Sequence, residues 1–383
     1  MDLIERKYYK SFDAIKGIVV FLCVTAGHYW QFTPGSYWME RTNPILFAAG
    51  NGLQQFSYST YSLMELLFML SGFQLSMSYA GIAEGKISFG DFMQKKIKRL
   101  FPATVLTTLL MIAGMLLYKN IMGIPWNNMP LTGQNIFTSL FNISAWISLD
   151  HPLNGPLWYV SVYLLCLVIY FILTKVGKKT GLDWAVFVLP VLIGIFIFQK
   201  SYKFFILNND TARGFIGFFM GVMTAFVIAK MRGKVNKIFA SVVSLCLIVI
   251  WAVIKFRYAT WFNDGGLVSR VLFSILMFYI PLIYLMTEVK LVDKIIGNPV
   301  LAKFGTVSMW LYVINFPFYL WVENLNILFR WYIPYGKDYT YWIFIIAQIG
   351  IAFILYYSQK GLAYLFTESG KDKNKPELPQ PVT

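Results

Sequence analysis

Ile18 to Tyr29 reads IVVFLCVTAGHY, an apolar run that ends on an imidazole. A titratable ring in the hydrocarbon layer is costly, and the reasons for one to be there are chemistry, ion passage or a fully satisfied packing role. His28 is one of two histidines in 383 residues, so it is the residue to explain. The segment around it, residues 13–32, is long enough to cross ~30 Å of hydrocarbon as a helix.

The rest of the chain repeats that pattern. Hydrophobic residues make up 57%, aromatic 18% and charged 13%, with a positive mean hydropathy. One soluble core cannot bury so much apolar surface, so lipid must act as solvent. Further apolar runs fall at residues 60–80, 102–119, 156–174, 183–200, 213–230, 237–256, 268–287, 301–322 and 341–360. The expected fold class is all-α, a polytopic membrane helical bundle of about ten transmembrane helices. The membrane domain covers residues 1–367, and the polar, Pro-containing tail 368–383 (ESGKDKNKPELPQPVT) reads as a disordered cytoplasmic extension. No cleavage pattern follows the first span, so it reads as uncleaved.

With the N-terminus inside, the inward segments hold 23 of the 33 Lys and Arg residues. Short basic loops stay cytoplasmic, which predicts both termini inside and a multi-pass protein of the cell membrane. The net charge of +15 is then a matter of loops facing anionic lipid and an anionic cosubstrate, with no nucleic acid implied. Cys23, Cys166 and Cys246 lie in apolar spans and read as packing residues, not a disulfide framework.

A few places carry candidate chemistry. His28 is either a packing histidine bonded to a neighbouring helix or a general base that accepts a hydroxyl proton. Glu65, in SLMELLFMLSGF, is an acid deep in an apolar span and must face the bundle interior, as a packing carboxyl or as a group orienting His28. Ser71-Gly72 allows a close backbone approach, and Gly217 with Gly221 has small-xxx-small spacing that suits internal packing more than a dimer seam. Lys95, Lys96, Lys98 and Arg99 precede Pro102 on a segment, residues 87–102, expected to lie along the inner leaflet or cap a pocket. They mark topology or a dock for a phosphorylated cosubstrate, with Arg99 suited to fork onto phosphate. Asn154 to Trp158 reads as a turn opening the fourth span, with His151 a loop residue before it.

Taken in order, these elements resemble the integral membrane acyltransferase family 3 over almost the whole chain. Asp13-Ala14-Ile15-Lys16-Gly17 is similar to that family's DGLRG opening, and Gly27-His28-Tyr29 to its first-span histidine. Glu65 with Leu70-Ser71-Gly72-Phe73, and Lys96 with Arg99, Leu100 and Pro102, are similar to its LSGF and basic-Pro elements. Asn154 to Trp158 with Ser161, Arg213 with Phe219 and Gly221, and Ser308 to Pro317 resemble its later motifs.

The resemblance implies transfer of an acyl group, commonly acetyl from acetyl-CoA, to a hydroxyl of a cell-envelope glycan or similar acceptor. Acyl-CoA is then a cosubstrate, and the resemblance implies neither a permanently bound cofactor nor a metal. It implies His28, Glu65 and Asp13 as the catalytic group, Lys16, Lys96 and Arg99 for the donor, and Ser71, Trp158, Ser161, Arg213 and Asn315 for substrate. A transient acyl-His stays open beside direct transfer.

The chain departs from the family pattern at three points. Eleven residues separate Lys16 from His28, one more than is usual, which turns one side chain away by about 100° unless a single-turn bulge absorbs it. Tyr163 stands where many members have Glu, and Asn315 where many have His. His28 must therefore act without a second intramembrane imidazole. A multi-span solute or glycan transporter using Glu65 and His28 is the competing reading, and a non-catalytic scaffold the third. Acceptor, acyl chain and oligomeric state are not encoded legibly.

Overall fold

The computed structural model describes residues 8–27, 63–147, 152–200, 204–258, 266–334 and 338–368. His28, His151, the loop 33–59 and the tail beyond Glu368 lie outside the described residues. Everything described is helical or loop, apart from one isolated bridge between Phe204 and Leu207.

Helices occupy the expected runs as far as these are described. They are α1 (Lys10–Leu22), α2 (Leu63–Ser76), the short α3 (Tyr79–Ala83), α4 (Phe89–Met122), the short α5 (Gly133–Leu140), α6 (Leu157–Thr180) and α7 (Val188–Lys200). There follow α8 (Asn209–Met231), α9 (Lys237–Arg257), α10 (Gly266–Ser274), α11 (Ile280–Glu288), α12 (Lys290–Ile296), α13 (Pro299–Phe329) and α14 (Asp338–Glu368). Among the described residues, seven helices are long and apolar enough to cross a membrane, against the ten spans expected. The shortfall has physical causes. The first two runs are described only as far as Gly27 and from Leu63, and α13 carries Trp310, Tyr312, Asn315, Tyr319, Trp321 and Asn324 among its apolar residues.

The segment 87–102 is not a separate surface helix. It is the first part of α4, a 34-residue helix that continues through Pro102 into the third span. Ser88 caps it by accepting from the Asp91 N–H at 3.1 Å, and Gly123 ends it in the left-handed region at φ 73°. At 1.5 Å per residue the helix is ~50 Å long, well beyond the hydrocarbon thickness, so its basic end projects from the apolar layer. Phe89 and Phe92 fasten that end to Phe171 of α6, with ring centroids 5.2 and 5.6 Å apart.

Two close contacts set the core. α2 lies against α8, where Gly72 leaves room only for the Phe218 carbonyl and Gly221 only for Met69. The Gly217 and Gly221 spacing is thus internal packing. α1 presses on α13, with Gly17 against the Gly305 backbone and Gly305 against the Asp13 carbonyl. α13 also clasps α4, as Trp321 Nε1 donates to the Leu110 carbonyl at 3.0 Å and Asn324 Nδ2 to that of Gly114 at 2.8 Å. Of the most apolar stretch in each helix, 67% is buried in α8 but 17% in α9, so α8 lies inside the bundle and α9 faces outward. All three cysteines are free, Cys23 and Cys166 buried and Cys246 exposed on α9.

Candidate active site

α2 is a ruler through the bundle. Gln74, Ser71 and Glu65 stand at successive depths, about one turn and then nearly two turns apart, and Gln74 to Glu65 is ~14 Å of helix rise. Each level meets different partners.

At the Gln74 level, Lys16 Nζ donates to Gln74 Oε1 at 2.7 Å and lies 3.4 Å from Asp13 Oδ1. The other carboxylate oxygen of Asp13 accepts from the Tyr8 hydroxyl at 2.5 Å, a contact that pushes the Tyr8 pKa up to about 12. Lys16, Lys96 and Arg99 come within electrostatic range of one another here, although they arrive on two helices distant in sequence. Lys16 is 20% exposed and Arg99 is exposed. Like charges gathered at one place repel, and an anion offsets that repulsion.

One turn further in, the Ser71 hydroxyl lies 3.4 Å from the Tyr159 hydroxyl. The Tyr159 ring lies 4.3 Å from Phe68 and parallel to Tyr163 at 6.4 Å, with Tyr312 edge-on at 6.2 Å. Arg99 acts electrostatically on Tyr163, which links this aromatic level to the cations.

At the Glu65 level the carboxylate is completely buried and accepts from Arg213 Nε at 2.5 Å. The Arg213 guanidinium sits 4.7 Å from the centre of the Trp158 ring, a cation–π contact. Asn208 places this arginine by capping α8, accepting from the Thr211 N–H at 2.9 Å one turn before. The second Glu65 oxygen, Oε2, has no hydrogen-bond partner among the described residues. Cys23 lies within range of both charges and 3.6 Å from Met64, so α1 reaches this level at the point where its winding changes. Residues 23–27 form a single wide π turn, which adds one residue to the helix between Lys16 and position 28.

The expected site residues therefore divide. Glu65, Arg213 and Trp158 meet in the interior, Asp13, Lys16, Lys96 and Arg99 gather at the basic end, and Ser71 stands between. Ser161 and Asn315 are placed elsewhere. The Ser161 hydroxyl accepts from the Ala145 N–H at 3.0 Å and its carbonyl from Trp146 Nε1 at 2.8 Å, which ties the loop before α6 to that helix. Asn315 Nδ2 donates to Gln348 of α14 at 3.0 Å, both completely buried. Tyr159, Tyr312 and Gln74 were missed from sequence. Gln74 lies three residues after Ser71, a same-face spacing that could have found it, whereas the tyrosines are hidden among 24 of their kind.

An all-helical bundle with several apolar spans around a buried charged centre is a multi-pass membrane protein. A family profile described as an acyltransferase domain matches residues 9–358, which takes in every helix named above except the last turns of α14. The chain belongs to acyltransferase family 3 and is a membrane acyltransferase. Comparisons with curated proteins and with solved structures found no match.

Proposed function

We propose that the protein moves an acyl group, acetyl in the simplest case, from acyl-CoA to a hydroxyl of a cell-envelope glycan or similar acceptor. The observation that carries this reading is the separation of two charged levels on one helix ruler. Lys16, Lys96 and Arg99 form the anion-binding end, and Glu65, Arg213 and Trp158 form a buried centre ~14 Å away. Donor phosphates held at the first level leave a flexible pantetheine arm to carry the thioester past Tyr163 and Tyr159 to the second.

His28 is the general base of this scheme. It takes the proton of the acceptor hydroxyl as that oxygen attacks the thioester carbonyl. The tetrahedral species collapses, the C–S bond breaks, and the imidazolium returns the proton to the departing CoA thiolate. The wide turn at residues 23–27 supports the reading, because it supplies the bulge that an eleven-residue separation from Lys16 requires. Glu65 and Arg213 shape the centre. Asp13 is a positioning residue, fourteen residues and ~21 Å of helix from Gly27, that orients Lys16. The N-terminal end of α1 and the C-terminal end of α14 line one cleft, which supports both termini on the same, cytoplasmic side.

The test is transfer in membranes supplied with isotope-labelled acetyl-CoA, with mass spectrometry of the envelope glycans. Label on a glycan hydroxyl, lost in His28→Ala while the protein stays folded, is the expected result. Full activity in that variant ends the assignment of the base, and flux of a solute into sealed vesicles without any acyl donor ends the reading as a whole.

A further inference from the structure

At the basic end of the bundle lies a second cationic feature, apart from the Lys16, Lys96 and Arg99 group. A cleft of about 350 Å³ opens between the start of α1, the start of α13 and the end of α14. Lys10, Lys303 and Lys360 converge on it from those three helices, together with Tyr8, Tyr356 and Tyr357, and none of its described lining residues is acidic. All three lysines are exposed, and Lys360 Nζ lies 4.8 Å above the Tyr356 ring. Asp13, which accepts from the Tyr8 hydroxyl, is turned to Lys16, and Asp293 accepts from the Ser11 hydroxyl at 2.6 Å. Two of the three helices present their N-terminal, partly positive ends to the same space.

The surroundings of the cleft are lipid-like in demand. Val300, next to Pro299 in the cleft wall, is 77% exposed, and Ile354, one turn before Tyr357 on α14, is 66% exposed. Such side chains at the edge of a cationic, tyrosine-lined opening match the boundary between headgroups and acyl chains. A free anion gains from the lysines alone, whereas an anionic amphiphile gains from the lysines and from the apolar flank.

The geometry points to a binding site for the phosphodiester headgroup of an anionic phospholipid in the cleft between α1, α13 and α14. Lys10, Lys303 and Lys360 hold the phosphate, and the acyl chains run along the outer face of α14. Native mass spectrometry of the purified full chain in detergent tests this with phosphatidylglycerol and phosphatidylcholine of matched chains. Phosphatidylglycerol is expected to stay bound and phosphatidylcholine to be lost. The K10Q/K303Q/K360Q variant should bind phosphatidylglycerol roughly 100-fold more weakly. A K178Q/K179Q control, at lysines away from the cleft, should bind it unchanged.

Should the triple variant fail to stay monodisperse, K303Q alone is measured, with an expected weakening of about fivefold. Equal retention of the two lipids, or a lysine variant as tight as the parent, overturns the proposal. Competition by soluble glycerol phosphate at lipid-equivalent concentration also overturns it, by making free phosphate the ligand. Displacement by acyl-CoA does so too, by making the cleft part of the donor site.

Discussion

Arg213 Nε lies 2.5 Å from Glu65 Oε1, a contact between residues 148 apart in sequence and both inside the bundle. Glu65 is wholly buried and the Arg213 side chain only 10% exposed, so each is the other's main compensation for leaving water. Breaking such a pair from one side leaves an uncompensated buried charge, at a cost of about 3–5 kcal/mol. Arg213→Ala and Glu65→Ala should each lower the melting temperature of the detergent-solubilised protein sharply. The double variant Glu65→Leu/Arg213→Met should recover much of that loss while remaining inactive. Recovery of activity along with stability would make the pair purely structural.

The basic group at the other end predicts a different kinetic signature. On the proposed donor site, replacing Arg99 or Lys16 with Gln removes a charge-assisted contact to phosphate, about 1.5–3 kcal/mol, or roughly 10- to 100-fold in affinity. KM for acyl-CoA should rise by that factor with kcat changed far less, and steady-state assays in nanodiscs separate the two. Arg99→Lys should recover only part of the loss, because an ammonium lacks the fork that engages two phosphate oxygens.

The wide turn at residues 23–27 makes single deletions informative. Removing Ala26 lets the turn close to ordinary α winding and keeps the downstream register, so transfer activity should survive. Removing Val20, inside regular helix, rotates everything beyond it by about 100° and should cost about 100-fold or more. Equal loss in both deletions would show that the turn does not serve to align the two ends of α1.

Packing of α2 on α8 yields a stability prediction. A Cβ on Gly221 would overlap the Met69 backbone, whereas one on Gly350 of α14 meets nothing within 4 Å. Gly221→Ala should destabilise by about 1–3 kcal/mol, and Gly350→Ala should be neutral or stabilising by up to ~1 kcal/mol. Thermal unfolding followed by size-exclusion chromatography reads both.

Much of this was legible because lipid makes polarity expensive. Glu65 stood out in an apolar run, Arg213 entered through the family resemblance, and the order of short motifs pointed to the family that the profile match then showed. Their pairing did not stand out, since no periodicity joins residues on helices brought together by a glycine seam. The run 87–102 was read apart from the span that follows it, yet the two form one helix, since a proline in a helix removes one hydrogen bond and is tolerated where packing holds the turn. Ser161 looked available in the sequence, but the Ala145 N–H already occupies its hydroxyl. Tyr159 offered no signal at all, as the same residue type fills belts and cores throughout the chain.

α13 has a role beyond filling the interior. Its Gly305 is seated against α1 beside Asp13, and its Trp321 and Asn324 grip the backbone of α4. The helices that carry Lys16 and Arg99 are thus bolted to one common spar. An arriving polyanion meets charges already mounted in register, and little of its attraction is lost to assembling them.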